Sequence, residues 1–348
     1  MPPTSRFLTV ILGAGASYDS LPPNVSSALF QGKLRPPLTA EIFHGRAGFQ
    51  PILEKYPKAL TLASTIRIRV TRGEALESVL RSLSNSKEEH IVRQFRQIPL
   101  YLQELFGEIS VNYTKQPINY HHLVNSILGS QFERVAFVTL NYDLLLDNSL
   151  ETISNRPMND IGAYIQPDQR WTLVKLHGSV NWARSLRRVT VQSVPPASLG
   201  EMLAVVDKVS ITEDDLGPVT LLNSHQQRRI ASRFLYPALV VPVEGKYGFV
   251  CPRSHIDALK RHLSACPNFL VIGVSGRDQD LLDLMGESIS ECRGFATVGG
   301  GDIKEVTNRF VSGVPRLQSA GMSMHKDGFS HFILSGELEK FLEQVKKN

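Results

Sequence analysis

The chain has 348 residues, 42% of them hydrophobic and 20% charged, with a formal net charge of +5. These values fit an ordinary globular protein with a full core and exclude fibrous or low-complexity architectures. Lys and Arg are dispersed and form no basic arm, so no direct nucleic-acid contact is expected.

The longest apolar runs, such as Phe269–Val274, are strand-sized and far too short to span a bilayer, so no membrane contact is expected. The opening "MPPTSRF" lacks the pattern of a signal peptide. Cys251, Cys266 and Cys292 are widely spaced and make neither a C-x-x-C metal site nor a disulfide framework. The expected compartment is a reducing cytoplasm.

In chain order, the first predicted strand is Phe7–Leu12, short, apolar and rich in β-branched residues. About 120 residues of mainly helical pattern come next, including "EALESVLRSL" (Glu74–Leu83) and His90–Ile109, far more than one crossover needs. Further strands are predicted over Arg134–Leu140, Trp171–Leu176 and Phe269–Val274, with a shorter one at Ala238–Val241. Strands alternating with helices define the expected fold class: α/β, a Rossmann-like, mostly parallel sheet with helices on both faces and a large helical insertion. The expected divisions are a core of residues 1–37 and 130–300, a helical insertion over 38–129, an irregular insertion or lid over 185–234, and a C-terminal segment over 301–348. The stretch Phe295–Ile303 reads as a last strand with a glycine turn, and Glu337–Lys347 as a terminal amphipathic helix.

In such sheets ligands bind at the carboxyl ends of the strands, and here each apolar run gives way to polar or small residues. After Leu12 comes "GAGAS", in which Gly13, Ala14, Gly15 and Ser17 can bring backbone close to a phosphate at a helix start. Tyr18 stands where the third glycine of a dinucleotide fingerprint would be, and no strand ending in an acidic residue comes after this helix, which argues against a dehydrogenase. A tight strand–helix turn without ligand is the alternative. The run "FVTLNYDLLLD" breaks at Asn141 and Asp143 and returns at once to leucines. One of these residues could cap a helix; two are more than a cap needs. An amide can hold a ribose hydroxyl or a water, and a carboxylate can accept from a neutral carboxamide. His177, beside Gly178, is placed for proton transfer near neutral pH, with a purely structural histidine as the alternative. Gly273 and Ser275 can take a second phosphate or ribose. Asp278 and Asp280 are expected at the start of the next helix.

Together these residues resemble the sirtuin family. "GAGAS" is similar to its phosphate-binding Gly-Ala-Gly-x-Ser, and "TLNYD" (Thr139–Asp143) to its Thr-Gln-Asn-x-Asp, with Leu140 in place of Gln. "KLHG" (Lys175–Gly178) is similar to the segment carrying its general-base histidine, and "GVS" (Gly273–Ser275) to its Gly-Thr-Ser. The two C-x-x-C pairs of the deacylating branch are missing. Arg35–Phe43 and Pro237–Lys246 resemble the bacterial branch of anti-phage defence. That resemblance implies an NAD hydrolase releasing nicotinamide and ADP-ribose and depleting NAD, with NAD as substrate and no metal. It assigns Asn141, His177 and Asp143 to catalysis, and Gly13, Ala14, Gly15, Ser17, Gly273 and Ser275 to NAD binding. It further implies a homo-oligomer, or a partner such as a HerA-type ATPase or a short Argonaute. The alternatives are an NAD-dependent deacylase lacking zinc and a non-catalytic nucleotide-binding assembly subunit.

Overall fold

The computed structural model describes residues 6–20, 34–113, 118–190, 198–208, 211–230, 233–241, 248–319 and 321–347. Within the divisions expected from sequence, residues 1–5, 21–33, 114–117, 191–197, 209–210, 231–232, 242–247, 320 and 348 lie outside them. Ten strands are described: β1 (Phe7–Leu12), β2 (Arg134–Thr139), β3 (Trp171–Lys175), β4 (Gly178–Thr190), β5 (Leu216–Leu221), β6 (Arg229–Ile230), β7 (Arg233–Leu239), β8 (Asn268–Ile272), β9 (Gly294–Val298) and β10 (Gly321–His325).

The chain forms two compact units. The first contains residues 1–27, 113–177 and 251–348. Its sheet has the order β10-β9-β8-β1-β2-β3 and every neighbouring pair is parallel. Chain order runs outward from β1 in both directions, so the topological switch lies between β1 and β8, where a doubly wound sheet opens its ligand crevice. β1, β2 and β8 are nearly continuous apolar runs because helices cover such a sheet and leave no face for water. Helices around it include Ile118–Gly129, Leu145–Ser154, Arg253–Ala265, Gln279–Ser288 and Ile303–Gly313.

The second unit, residues 28–112 and 178–250, carries the helices Pro57–Thr71, Leu76–Ser84 and Glu89–Phe95, most of Ile98–Tyr113, and a four-stranded antiparallel sheet of order β5-β4-β7-β6. The helical pattern over His90–Ile109 is carried by two helices, with Pro99 in the first turn of the second, where its missing N–H costs nothing. The strand expected at Ala238–Val241 is the end of β7 and pairs antiparallel with β4. A strand buried on both faces reads alike in either kind of sheet. Inside this unit Glu104 is buried and accepts from Lys55 and Tyr56, each at 2.5 Å.

Candidate functional site

Strand register brings the carboxyl ends of the parallel sheet into one line. Leu12 pairs with Thr139 and Ile272, Thr139 with Lys175, Ile272 with Val298, and Val298 with His325. Gly13 and Gly273 therefore lie one residue past the line, and Asn141 and His177 two.

The β1 and β8 turns are packed backbone on backbone. Gly13 N donates to Ile272 O and Gly15 N to Gly273 O, both at 3.0 Å. A Cβ on Gly273 would lie 2.1 Å from Ala16 N, and Gly273 has φ +65°, a conformation that side chains disfavour. A Cβ on Gly13 would lie 2.6 Å from Gly273 O. These glycines are required by each other, and the N–H groups of Gly13 and Gly15 are spent within the protein. The helix after β1 is only five residues, Ala14–Tyr18. Ser275, whose carbonyl accepts from Arg309 at 2.9 Å, is exposed.

Behind these turns lies a closed polar cluster built on Ser17. Its hydroxyl donates to Asp143 Oδ2 at 2.8 Å. It lies 2.9 Å from the Tyr120 hydroxyl and 3.0 Å from Asn141 Nδ2. A hydroxyl has one proton to give and two lone pairs, so with its proton on Asp143 it accepts from both Tyr120 and Asn141. Asn141 Nδ2 also donates to Gly13 O at 2.9 Å. A carbonyl can only accept, so this bond fixes the amide's orientation, with Nδ2 inward and Oδ1 as the atom without a protein partner among the described residues. Burial pushes the Tyr120 phenol up, which keeps its proton in place at any physiological pH.

Asp143 is 3% exposed. Its second oxygen accepts from Leu145 N at 3.1 Å, at the start of the helix Leu145–Ser154. The carboxylate thus starts a helix and orients Ser17; it does not face outward. Burial raises its pKa, against the pull of Lys175, Ser17 and the Leu145 N–H. Lys175, fully buried, donates to Asp143 O at 2.6 Å and Asp147 Oδ2 at 2.7 Å, which pins the loop after β2 onto β3.

His177 Nε2 lies 2.7 Å from Asp278 Oδ2, with 18% and 19% of the two side chains exposed. Asp278 also caps the helix Gln279–Ser288, accepting from Leu281 N at 2.7 Å. Burial pushes the Asp278 carboxyl up, but the His177 hydrogen bond and charge and the Leu281 N–H outweigh it and hold the group below its usual value.

The structure therefore gathers Gly13, Ser17, Asn141, Asp143 and Gly273 at the switch point, with Ser17 and Asp143 buried beneath the turns, and puts His177 at the adjacent strand end. Tyr120 and the bond from Asp278 to His177 were missed from sequence. Tyr120 sits in an ordinary amphipathic pattern with nothing to mark it. Asp278 carried only a helix-capping signal, which it also obeys. A cavity of about 400 Å³, lined in part by Leu128, Gln169 and Trp171, lies away from this edge, at the amino end of β3.

Residues 135–310 match the model of the SIR2-like domain, which spans Asn141, Asp143, His177, Gly273 and Asp278 but not the β1 turn. The chain belongs to the SIR2-like family. Among solved structures it is similar to a mutant Sir2 homologue in complex with 2′-O-acetyl-ADP-ribose, at 12% identity over 98% of this chain and 92% of that one, with a TM-score of 0.44. It is also similar to a Sir2 homologue–NAD complex, at 13% identity over 98% and 90%, with a TM-score of 0.43. No curated protein matches the chain. Among the described residues, no group of three or more His, Cys, Asp or Glu could hold a metal ion, and no helix is long and apolar enough to cross a membrane.

Proposed function

We propose that this SIR2-like chain is an NAD glycohydrolase that cleaves NAD to nicotinamide and ADP-ribose, and that it acts as an NAD-depleting effector in anti-phage defence. The observation that carries the chemistry is the placing, at adjacent strand ends, of an amide whose nitrogen is held by the protein while its oxygen has no protein partner among the described residues, and of an imidazole that is 18% exposed.

The bond to nicotinamide breaks through an oxocarbenium-like state. The leaving group already carries positive charge and needs no acid, so the protein has to place the ribose, favour the developing cation and deprotonate a water. Asn141 Oδ1 accepts from a ribose hydroxyl or from the attacking water. His177 is the general base, a role worth typically 10²–10⁴-fold. Asp143 acts from beneath by ordering Ser17, Tyr120 and Asn141. Gly13, Ala14, Gly15 and Gly273 form the floor on which the pyrophosphate rests, with Ser275 at its rim. No step calls for a metal. Restraint of such an activity in the cell falls to self-association or to a partner, such as a HerA-type ATPase or a short Argonaute.

The test is nicotinamide and ADP-ribose release from NAD by the purified chain, alone and with co-expressed neighbours, beside His177→Ala and Asn141→Ala. Release without any acyl-peptide, reduced at least 10²-fold by each substitution, is expected. Release that requires an acyl-lysine peptide would replace hydrolysis with deacylation. Tight ADP-ribose binding with no turnover in any assembly would leave a binding subunit.

A further inference from the structure

We infer that Asp278 is the positioning residue of a His177–Asp278 dyad, which holds the histidine proton on Nε2 and leaves Nδ1 as the atom that takes the proton from water. This rests on the hydrolase reading above.

A helix cap needs one carboxylate oxygen, and Leu281 N takes it. The other oxygen is turned to His177. In the sheet order β8-β1-β2-β3 two strands separate β8 from β3, so the contact between Asp278 and His177 spans the ends of β1 and β2. Capping alone gives no reason for that reach. An ionised carboxylate only accepts, so the proton between the two groups belongs to Nε2, and in the neutral ring the lone pair is then on Nδ1. No other polar partner holds His177 among the described residues. Other charged groups on the surrounding elements are Lys175, held by Asp147, Asp143, bonded to Ser17, and Arg277 and Asp280, which flank Asp278 in the chain.

The step balances. Water oxygen bonds to the ribose C1′ while the C1′–N bond pair moves onto the pyridinium nitrogen and neutralises it. The water proton goes to His177 Nδ1, the resulting imidazolium is held by the Asp278 carboxylate, and the proton then leaves to solvent.

The experiment compares the full chain with Asp278→Asn and Asp278→Ser, both of which keep a good helix cap. Nitrogen NMR of His177 is expected to show the Nε2–H tautomer in the parent. In Asp278→Asn an amide N–H can donate to Nε2, so the Nδ1–H form is expected to gain. The kcat for NAD should fall 10²–10⁴-fold, with ADP-ribose affinity within threefold and the rising limb of the pH–rate profile moved to lower pH. A parent Nδ1–H tautomer, or variants with unchanged tautomer and kcat, would overturn the dyad. If NAD is hydrolysed in a His177-dependent way by variants that match the parent, the hydrolase reading stands and the dyad falls. If no assembly hydrolyses NAD but the tautomer responds to Asp278, the dyad stands and the hydrolase reading falls.

Discussion

Ser17 is the residue on which the crevice turns, because one hydroxyl satisfies Asp143, Asn141 and Tyr120 at once. Replacing it with Ala strips a buried carboxylate oxygen of its donor, which costs about 1–3 kcal/mol. Urea unfolding of Ser17→Ala should show that loss, together with a reduced kcat, since the Asn141 amide loses one of its three anchors, Gly13 O, Ser17 and Tyr120. An unchanged midpoint would contradict the hydrogen-bond count. Lys175→Met should be worse, at about 3–5 kcal/mol, because it leaves the buried Asp147 without its cation. The polar break at Asn141 and Asp143 was legible in the sequence because polar groups inside an apolar run need partners. Which partners was not legible. Ser17 and Tyr120 sit more than a hundred and about twenty residues away, and no local pattern couples them to the strand end. The buried ammonium of Lys175 was hidden for the same reason, since "VKLH" shows a lysine in a strand but not the Asp147 that receives it.

At the level of elements, the parallel strands declared themselves through apolar, β-branched composition, because burial on both faces leaves no room for polar alternation. The edge strand β10 did not. Its Met322 and Met324 are each 50% exposed, and "GMSMH" carries no strand pattern. The antiparallel sheet was hidden as well apart from the end of β7, since local turn signals such as "ITEDDLGPVT" make the segment read as loops. The glycines of the crevice were recognised for the approach of a phosphate, and the structure adds a second demand on them, the close approach of one turn to another. Gly273→Ala would need both a left-handed alanine and a Cβ 2.1 Å from Ala16 N. It should abolish soluble, cooperatively melting protein. Gly300→Ala, with nothing within 4 Å of the added methyl, should leave the melting temperature within a degree or two. Circular dichroism melts of the pair decide the matter, and a stable Gly273→Ala would show that the two turns do not interlock.

Over the whole molecule, acid should unfold the protein through groups far from the crevice. His262 stacks on Phe7, bonds Leu8 O at 3.1 Å, and is pushed down to about 4 by burial. His255, bonded to Ile161 O, is lowered by burial too. Both are neutral in the fold, so their contribution is complete above the unfolded value of about 6.5 and is lost as pH falls toward the folded one. Asp278 adds a loss at lower pH, as its carboxylate protonates below the usual range. Melting temperature should decline steadily from pH 6.5 to 4.5, and His262→Gln, which keeps a donor for Leu8 O, should flatten the slope. A parent curve that is flat across this window would refute the assignment.

Strand order also matters to the newborn chain. β1 sits at the centre of the sheet, yet Leu8 waits for Val135 on one side and for Asn268 on the other. At roughly 5–20 residues per second, a ribosome needs on the order of tens of seconds to deliver the second partner. Throughout that interval "LTVIL" is outside the tunnel with a naked hydrogen-bonding edge, adhesive to any other unpaired strand. The yield of folded protein should therefore respond to translation speed and to chaperone supply more steeply than its equilibrium stability would suggest.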